Sequence, residues 1–484
     1  MDKVAFSLSA PIACAKVGRR LLTAPIAISL AVISLTVGAA TCFAQTRIQA
    51  READRFVNSM GINVHMESTS NPYNDYAAVN QYLRVLGMRH FRNEINQADP
   101  LSPFYNPAFV AELLDIGEFG YSLCGLMEGG NDYPIPPGSS RLSASHVVPM
   151  IQSLKPVIEA VEGPNEPDDV APWSCQAGAF CYDGVPYPQG AIDESVDLWS
   201  IVRDNAEISD LPIVVMSEGS PQDFKTLAGR TPPASDYANF GNMHAYQGGR
   251  VGDANLSGYM AAARELTRKD PLWTTEMGYH NNTHYLSDGE QQGVSERASA
   301  IYLPIAFLSG FSRGVVRTFS YELLNEAKEP PTDSGEGYYG LLTYDGKPKP
   351  AYTTLKNLIS LLSEPGSGEF DPVSLEVKFS GAPTAMHYTL LQKSTGAFYL
   401  AIWNDVSVYR IAYQTAQGRQ IPGKDLYPQK VPVTVTFSEP HAFTVYAPND
   451  ASGVEPTDAY TTATTPRSLT LNLPAKVLLV KIVP

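Results

Sequence analysis

Between residues 56 and 325 the chain repeats one pattern eight times: a short apolar run, a polar step, then a longer connecting segment, often of helical character. The apolar runs are 57–66, 88–95, 121–128, 157–166, 213–217, 240–246, 272–277 and 315–321. Helices are expected between them, at 74–87, 107–119, 195–209, 256–269 and 289–308. A strand that returns through a helix pairs parallel to its predecessor, so this alternation predicts a parallel sheet wrapped in helices. Eight such units predict an α/β fold closed as a (β/α)8 TIM barrel. An open doubly wound sheet is the alternative, but no Gly-rich phosphate loop follows the first strand.

The pattern changes at Glu364-Pro365-Gly366-Ser367-Gly368, which reads as a linker over 364–368. Beyond it, apolar and polar residues alternate in short runs without helices between them, so 369–484 predicts a β-sandwich domain. It is expected to pack beside the barrel as a structural companion rather than act as a separate binding module. The barrel domain is accordingly assigned to 45–363.

Residues 1–44 differ from the rest. Lys16, Arg19 and Arg20 precede an apolar stretch from Leu21 to Ala40, and Cys42-Phe43-Ala44 places small residues before a cut at Gln45. This reads as a signal peptide for secretion or delivery to the periplasm. A retained membrane anchor is the rival, since about 20 apolar residues can span a bilayer. Once the leader is removed, no membrane association is expected. The net charge of −15 in 484 residues excludes nucleic acid and anionic lipid as natural partners, because both need clustered Lys and Arg. Cys175 and Cys181, six apart in a Gly/Pro-rich loop, are expected to form a disulfide in an exported protein, and Cys124 to be a buried thiol. No metal site is expected, for want of further Cys or His at ligand spacing.

Chemistry concentrates where the proposed strands end. These ends carry His65, Arg92-Asn93-Glu94, Glu128, Asn165-Glu166, Glu218, His244-Ala245-Tyr246, Glu276 and Tyr321-Glu322. In a barrel they converge on one rim. Two glutamates, Glu166 and Glu276, at the fourth and seventh strand ends are suited to glycosidic-bond cleavage. There, one carboxyl protonates the leaving oxygen and the other attacks the anomeric carbon. No cofactor is needed. Aromatic residues in the rim loops, among them Trp173, Tyr182, Tyr187, Tyr279 and Tyr285, are candidates to stack on sugar faces.

Asn165-Glu166-Pro167 closing strand four and Thr275-Glu276 closing strand seven resemble the clan A glycoside hydrolases, the (β/α)8 retaining enzymes of cellulase-like, xylosidase-like and heparanase-like type. The resemblance covers 56–352 in layout and about a dozen positions in motif. It implies Glu166 as general acid/base and Glu276 as nucleophile, with a carbohydrate substrate. It further implies that Arg92 brings positive charge to Glu276, that Tyr246 hydrogen-bonds Glu276, and that Asn165 binds the hydroxyl beside the anomeric carbon. His244 either holds a loop or touches sugar, and His65 is a further substrate contact. Where the clan commonly presents a tryptophan from strand eight, this chain has Thr318-Phe319-Ser320-Tyr321, so Phe319 or Tyr321 is expected as the sugar floor. Apolar neighbours are expected to keep Glu166 protonated. Transglycosylation on the same site, or sugar binding without catalysis, are the alternative activities; sugar, linkage and oligomeric state stay open.

Overall fold

The computed structural model describes residues 46–68, 71–127, 141–168, 175, 180–268, 270–286, 291–330, 334–450, 453–457 and 466–484. The expected leader at 1–44 lies outside them. Among the described residues no helix is long and apolar enough to cross a membrane.

The barrel forms as the alternation predicts. Seven parallel strands make one sheet: Met60–Asn63, His90–Glu94, Ser122–Leu126, Ile158–Glu162, Ile213–Val214, Trp273–Met277 and Arg317–Ser320. The first strand pairs with both the second and the last. The gap between Ile213–Val214 and Trp273–Met277 is spanned by 240–244, which makes single parallel bridges Val214–Phe240, Gly241–Leu272 and His244–Glu276. Strand six is thus present but irregular, and the ring closes through it. The helices begin where side chains can accept the free N–H groups of a first turn. Asp75 caps Tyr76–Leu86, Asn106 caps Pro107–Glu118, and Ser295 caps Glu296–Ser312.

Inside the barrel, Cys124, Ala160, Val214, Trp273 and Phe319 form an apolar plug. Phe319 is fully buried, its ring centroid 6.0 Å from that of Trp273, and it lies over Gly61, where a Cβ would fall 2.4 Å from the ring. It fills the barrel and is not a sugar floor. Residues two apart on a strand share a face. Phe319 therefore points inward one layer below Tyr321, which reaches the rim.

The sandwich has a four-stranded and a five-stranded sheet. Its composition corrects the assigned boundary: Thr46–Gln49 pairs antiparallel with Ser374–Ser380, and Arg51–Glu52 pairs parallel with the end of Met386–Gln392. Residues 46–52 belong to the sandwich by pairing, so the chain enters that domain, builds the barrel, and returns. Thr46–Gln49 would otherwise leave an edge strand unpaired. The two domains share a core. Helix Glu296–Ser312 is buried on nearly every side, and barrel residues such as Phe307 cluster with Tyr399, Trp403 and Leu479 of the sandwich. The Tyr302 hydroxyl accepts from the N–H groups of Val408 at 2.9 Å and Tyr409 at 3.1 Å.

Candidate active site

At the carboxyl ends of the strands lies a cavity of about 730 Å³. Above the apolar plug comes a charged layer centred on Arg92, which is only 4% exposed. Its fork donates from Nε to Glu162 Oε2 at 2.6 Å and from Nη1 to Glu276 Oε1 at 2.7 Å. Further donations run from Nη2 to Asn165 Oδ1 at 2.8 Å and from Nη1 to Asn63 Oδ1 at 3.0 Å. The partners of Arg92 are therefore Glu162 and Glu276, not the neighbouring acids of its own strand end. Glu162 also accepts from Asn242 and from the Thr275 hydroxyl, both at 2.9 Å. A fully buried carboxylate so surrounded is compensated, which is what its burial requires.

Glu276 is 7% exposed, and accepts from Arg92 on one oxygen and from the Tyr246 hydroxyl at 2.7 Å on the other. Burial alone would raise its pKa. The charges of His244 and Arg92 and the two hydrogen bonds outweigh burial and hold it below the usual glutamate value.

Glu166 sits in a left-handed turn (φ 37°) between Asn165 and Pro167, a conformation that costs a non-Gly residue about 1 kcal/mol or more. The Ser217 hydroxyl accepts from its backbone N–H at 3.1 Å. Its Oε1 lies 2.5 Å from His244 Nδ1, so polar neighbours surround this carboxyl instead of the expected apolar ones. His244 is fully buried, with Nε2 3.1 Å from the Thr275 hydroxyl and Nδ1 3.6 Å from Glu276 Oε2. Burial opposes its charge, but Glu276 and Glu166 raise its pKa overall. One carboxylate oxygen each of Glu166 and Glu276, with a His244 nitrogen, lie within 4.8 Å of one another.

His65 lines the cavity beside Glu67, Glu322 and Glu326 at 3.2, 3.7 and 3.8 Å, and these acids raise its pKa to about 10 against the opposing effect of burial. Tyr321 and Tyr339 stand edge-to-face, ring centroids 5.3 Å apart, and both line the cavity with Tyr246 and Tyr285. Among the strand-eight candidates it is Tyr321 that faces the site. Trp173 lies outside the described residues. Tyr182, Tyr187 and Tyr279 are buried, with hydroxyls donating to Asp197, Glu218 and the Arg250 carbonyl, so they support loops rather than face the cavity. Glu218 is likewise buried. Cys175 and Cys181 are disulfide-bonded, and Cys124 is a buried free thiol.

Several site residues were not singled out from sequence. Glu162 offered a signal, an acid inside an apolar strand. Asn63 and Asn242 looked like ordinary strand residues, and Thr275 stood beside Glu276 in its motif without a role of its own. Tyr339 and Glu336 come from the loop after strand eight, where no periodicity marks them.

No family model matches this sequence, and no curated protein matches it. Among solved structures, it is similar to the GH39 enzyme from Xanthomonas axonopodis pv. citri at 14% identity and TM-score 0.53, over 90% of this chain and 96% of that one. It is similar to a family 39 glycoside hydrolase from the gut symbiont Bacteroides cellulosilyticus WH2 at 15% identity and TM-score 0.52, over 90% and 83%. A GH30 endoxylanase from Clostridium papyrosolvens C71 follows at 13% and 0.50, over 91% and 97%. What is shared is the fold: a (β/α)8 barrel with a β-sandwich.

Proposed function

We propose that the protein is a secreted, retaining O-glycoside hydrolase acting on a poly- or oligosaccharide, with Glu276 as nucleophile and Glu166 as general acid/base. The observation that carries this reading is the spacing of the pair. One carboxylate oxygen of each lies within 4.8 Å of one on the other, which agrees with the carboxyl separation of about 5–5.5 Å that a retaining mechanism uses.

In the first step a Glu276 oxygen attacks the anomeric carbon. The C–O bond to the leaving group breaks, its electron pair stays on the leaving oxygen, and Glu166 donates a proton there. In the second step Glu166 takes a proton from water, whose oxygen attacks the same carbon and expels Glu276. Two inversions restore the original configuration. Arg92 and Tyr246 keep Glu276 ionised and fixed in direction. His244 Nδ1 lies 2.5 Å from the Glu166 carboxyl, a contact across which a proton can move as Glu166 alternates between acid and base. Asn165, oriented by Arg92, contacts the hydroxyl next to the reacting carbon, and the Tyr321–Tyr339 wall receives the sugar face. Export agrees with the Cys175–Cys181 disulfide, which persists in oxidising compartments.

The test uses aryl glycosides. Glu276→Ala should abolish turnover of every substrate. Glu166→Ala should keep the first step on substrates with good leaving groups and lose the second, and azide should restore turnover with retained configuration. Azide rescue of Glu276→Ala with retained product, and of Glu166→Ala with inverted product, would exchange the two roles, and full activity in either variant would overturn the mechanism.

A further inference from the structure

We propose that this cleft selects saccharides bearing a free, protonated amino group, so that the substrate is a hexosamine-containing glycan with an ammonium beside Glu336 near the cleavage point. The inference rests on the glycosidase reading above and names its substrate class.

The lining of the cavity is far from neutral. Besides Glu166 and Glu276 it presents Glu67, Glu94, Asp168, Asp223 and Glu336, against a single guanidinium and no lysine among the described residues. That guanidinium is engaged below by Glu162 and Glu276. His65 is held among Glu67, Glu322 and Glu326. The positive groups are thus matched inside the protein, and acids outnumber them around the space where substrate lies.

Glu336 is the sharpest part of that excess. Its side chain is open to the cavity, and among the described residues no hydrogen bond or ion pair holds its carboxyl. Withdrawal from bulk water within the cleft, then the charges of Glu326, Glu276 and Glu166, push its pKa up to about 7. Glu336 lines the same cavity as Glu166 and Glu276, and it stands three residues from Tyr339 of the aromatic wall. A uronate or sulfated sugar there would add a further negative charge to an acidic, confined space, where like charges repel strongly. A neutral sugar would leave Glu336 to water. An ammonium would complete it with a charge-assisted hydrogen bond. Asp168 and Asp223 line the same cavity, which suits a substrate with amines on more than one residue.

The pH dependence has a defined sign. A bound ammonium favours ionised Glu336, so affinity should rise as pH climbs toward about 7. It should fall again where the substrate amine loses its proton.

The experiment measures hydrolysis and calorimetric binding by the full chain. Its probes are oligosaccharides of glucosamine and of galactosamine, their N-acetylated counterparts, and neutral and uronate-containing oligosaccharides. The expected result is that kcat/KM and affinity favour an amine-bearing member over its N-acetylated counterpart by about tenfold or more, the scale of a charge-assisted hydrogen bond. The ratio should shrink in Glu336→Gln and as salt is raised. Preference for neutral, N-acetylated or uronate members overturns the inference while leaving the glycosidase reading intact, as does a ratio unmoved in Glu336→Gln. Tight binding of amine-bearing members without turnover of any substrate would uphold the recognition and overturn the hydrolase. Neither binding preference nor turnover would overturn both.

Discussion

Replacing Arg92 with leucine should destabilise the protein more than almost any other single change at the site, because Arg92 joins two buried acids. Its fork makes five hydrogen bonds to four side chains, and both Glu162 and Glu276 are at least nine-tenths buried. Leucine matches much of the side chain's bulk but leaves both carboxylates without their cation. Removing one partner of a buried pair costs about 3–5 kcal/mol, since the remaining charge loses its compensation. Here two charges are exposed to that penalty. Glu162 keeps donors in Asn242 and Thr275, and Glu276 keeps Tyr246, so the total should stay near the upper end of that range rather than double. Chemical denaturation of wild type, Arg92→Leu, Glu162→Gln and the double variant would measure it. The cycle should show coupling: Glu162→Gln costs less in the Arg92→Leu background than alone, because the orphaned charge is then gone. A loss below about 1 kcal/mol for Arg92→Leu, or strict additivity in the cycle, would refute the view that one guanidinium holds this layer together.

Other consequences follow from separate parts of the structure. Phe319→Ala should lower stability by about 3–5 kcal/mol by emptying the barrel plug, whereas Tyr321→Ala should raise KM with a smaller effect on thermal unfolding; the reverse pattern would mean the layers are exchanged. Asp168 has its pKa raised to about 7, by burial first and then by nearby acids, so its contribution to stability is present at acid pH and is lost as pH rises from about 4 through 7. Asp168→Asn should therefore gain stability relative to wild type across that window, and a constant difference in melting temperature would sink the assignment. A fragment ending at Gly366 should aggregate or unfold early, because helix Glu296–Ser312 would lose the sandwich that covers it; a fully stable, active fragment would contradict the shared core.

Most of the fold was legible because a strand–helix alternation leaves few topologies. Strand six was the weakest in regular pairing yet still readable, since Phe240-Gly241-Asn242-Met243-His244 keeps its apolar steps even where the ladder breaks into single bridges. The domain boundary was misplaced at its start, since Thr46–Gln49 looks like any short strand and nothing local says that its partner is Ser374–Ser380, more than 300 residues on. At the site, strand ends were readable and loops were not. Glu166, Glu276, Arg92 and Tyr246 follow from counting strands, and the structure brings all four together. Phe319 failed because strand-end counting does not say which inward residue is the topmost layer. Glu336 and Tyr339 were invisible because a loop side chain's direction depends on the whole chain path.

The proposed mechanism asks two glutamates on one rim to do different chemistry. Environment must differ by donors rather than by burial, since Glu276 is the more buried of the two yet has its pKa lowered. Glu276 receives hydrogen bonds only from groups that stabilise an anion, a guanidinium and a phenol. Glu166 instead faces His244, whose Nδ1 proton can lie on either partner of a 2.5 Å contact. The imidazole is fixed from behind by Thr275, which also donates to Glu162, so the partner of Glu166 is tied to the same layer that holds Glu276. His244→Asn should therefore change the pH profile more than it changes KM: the limb reporting Glu166 should shift, while stacking against the Tyr321–Tyr339 wall is left in place. An unshifted limb together with a large rise in KM would assign His244 to sugar contact and remove it from the proton path.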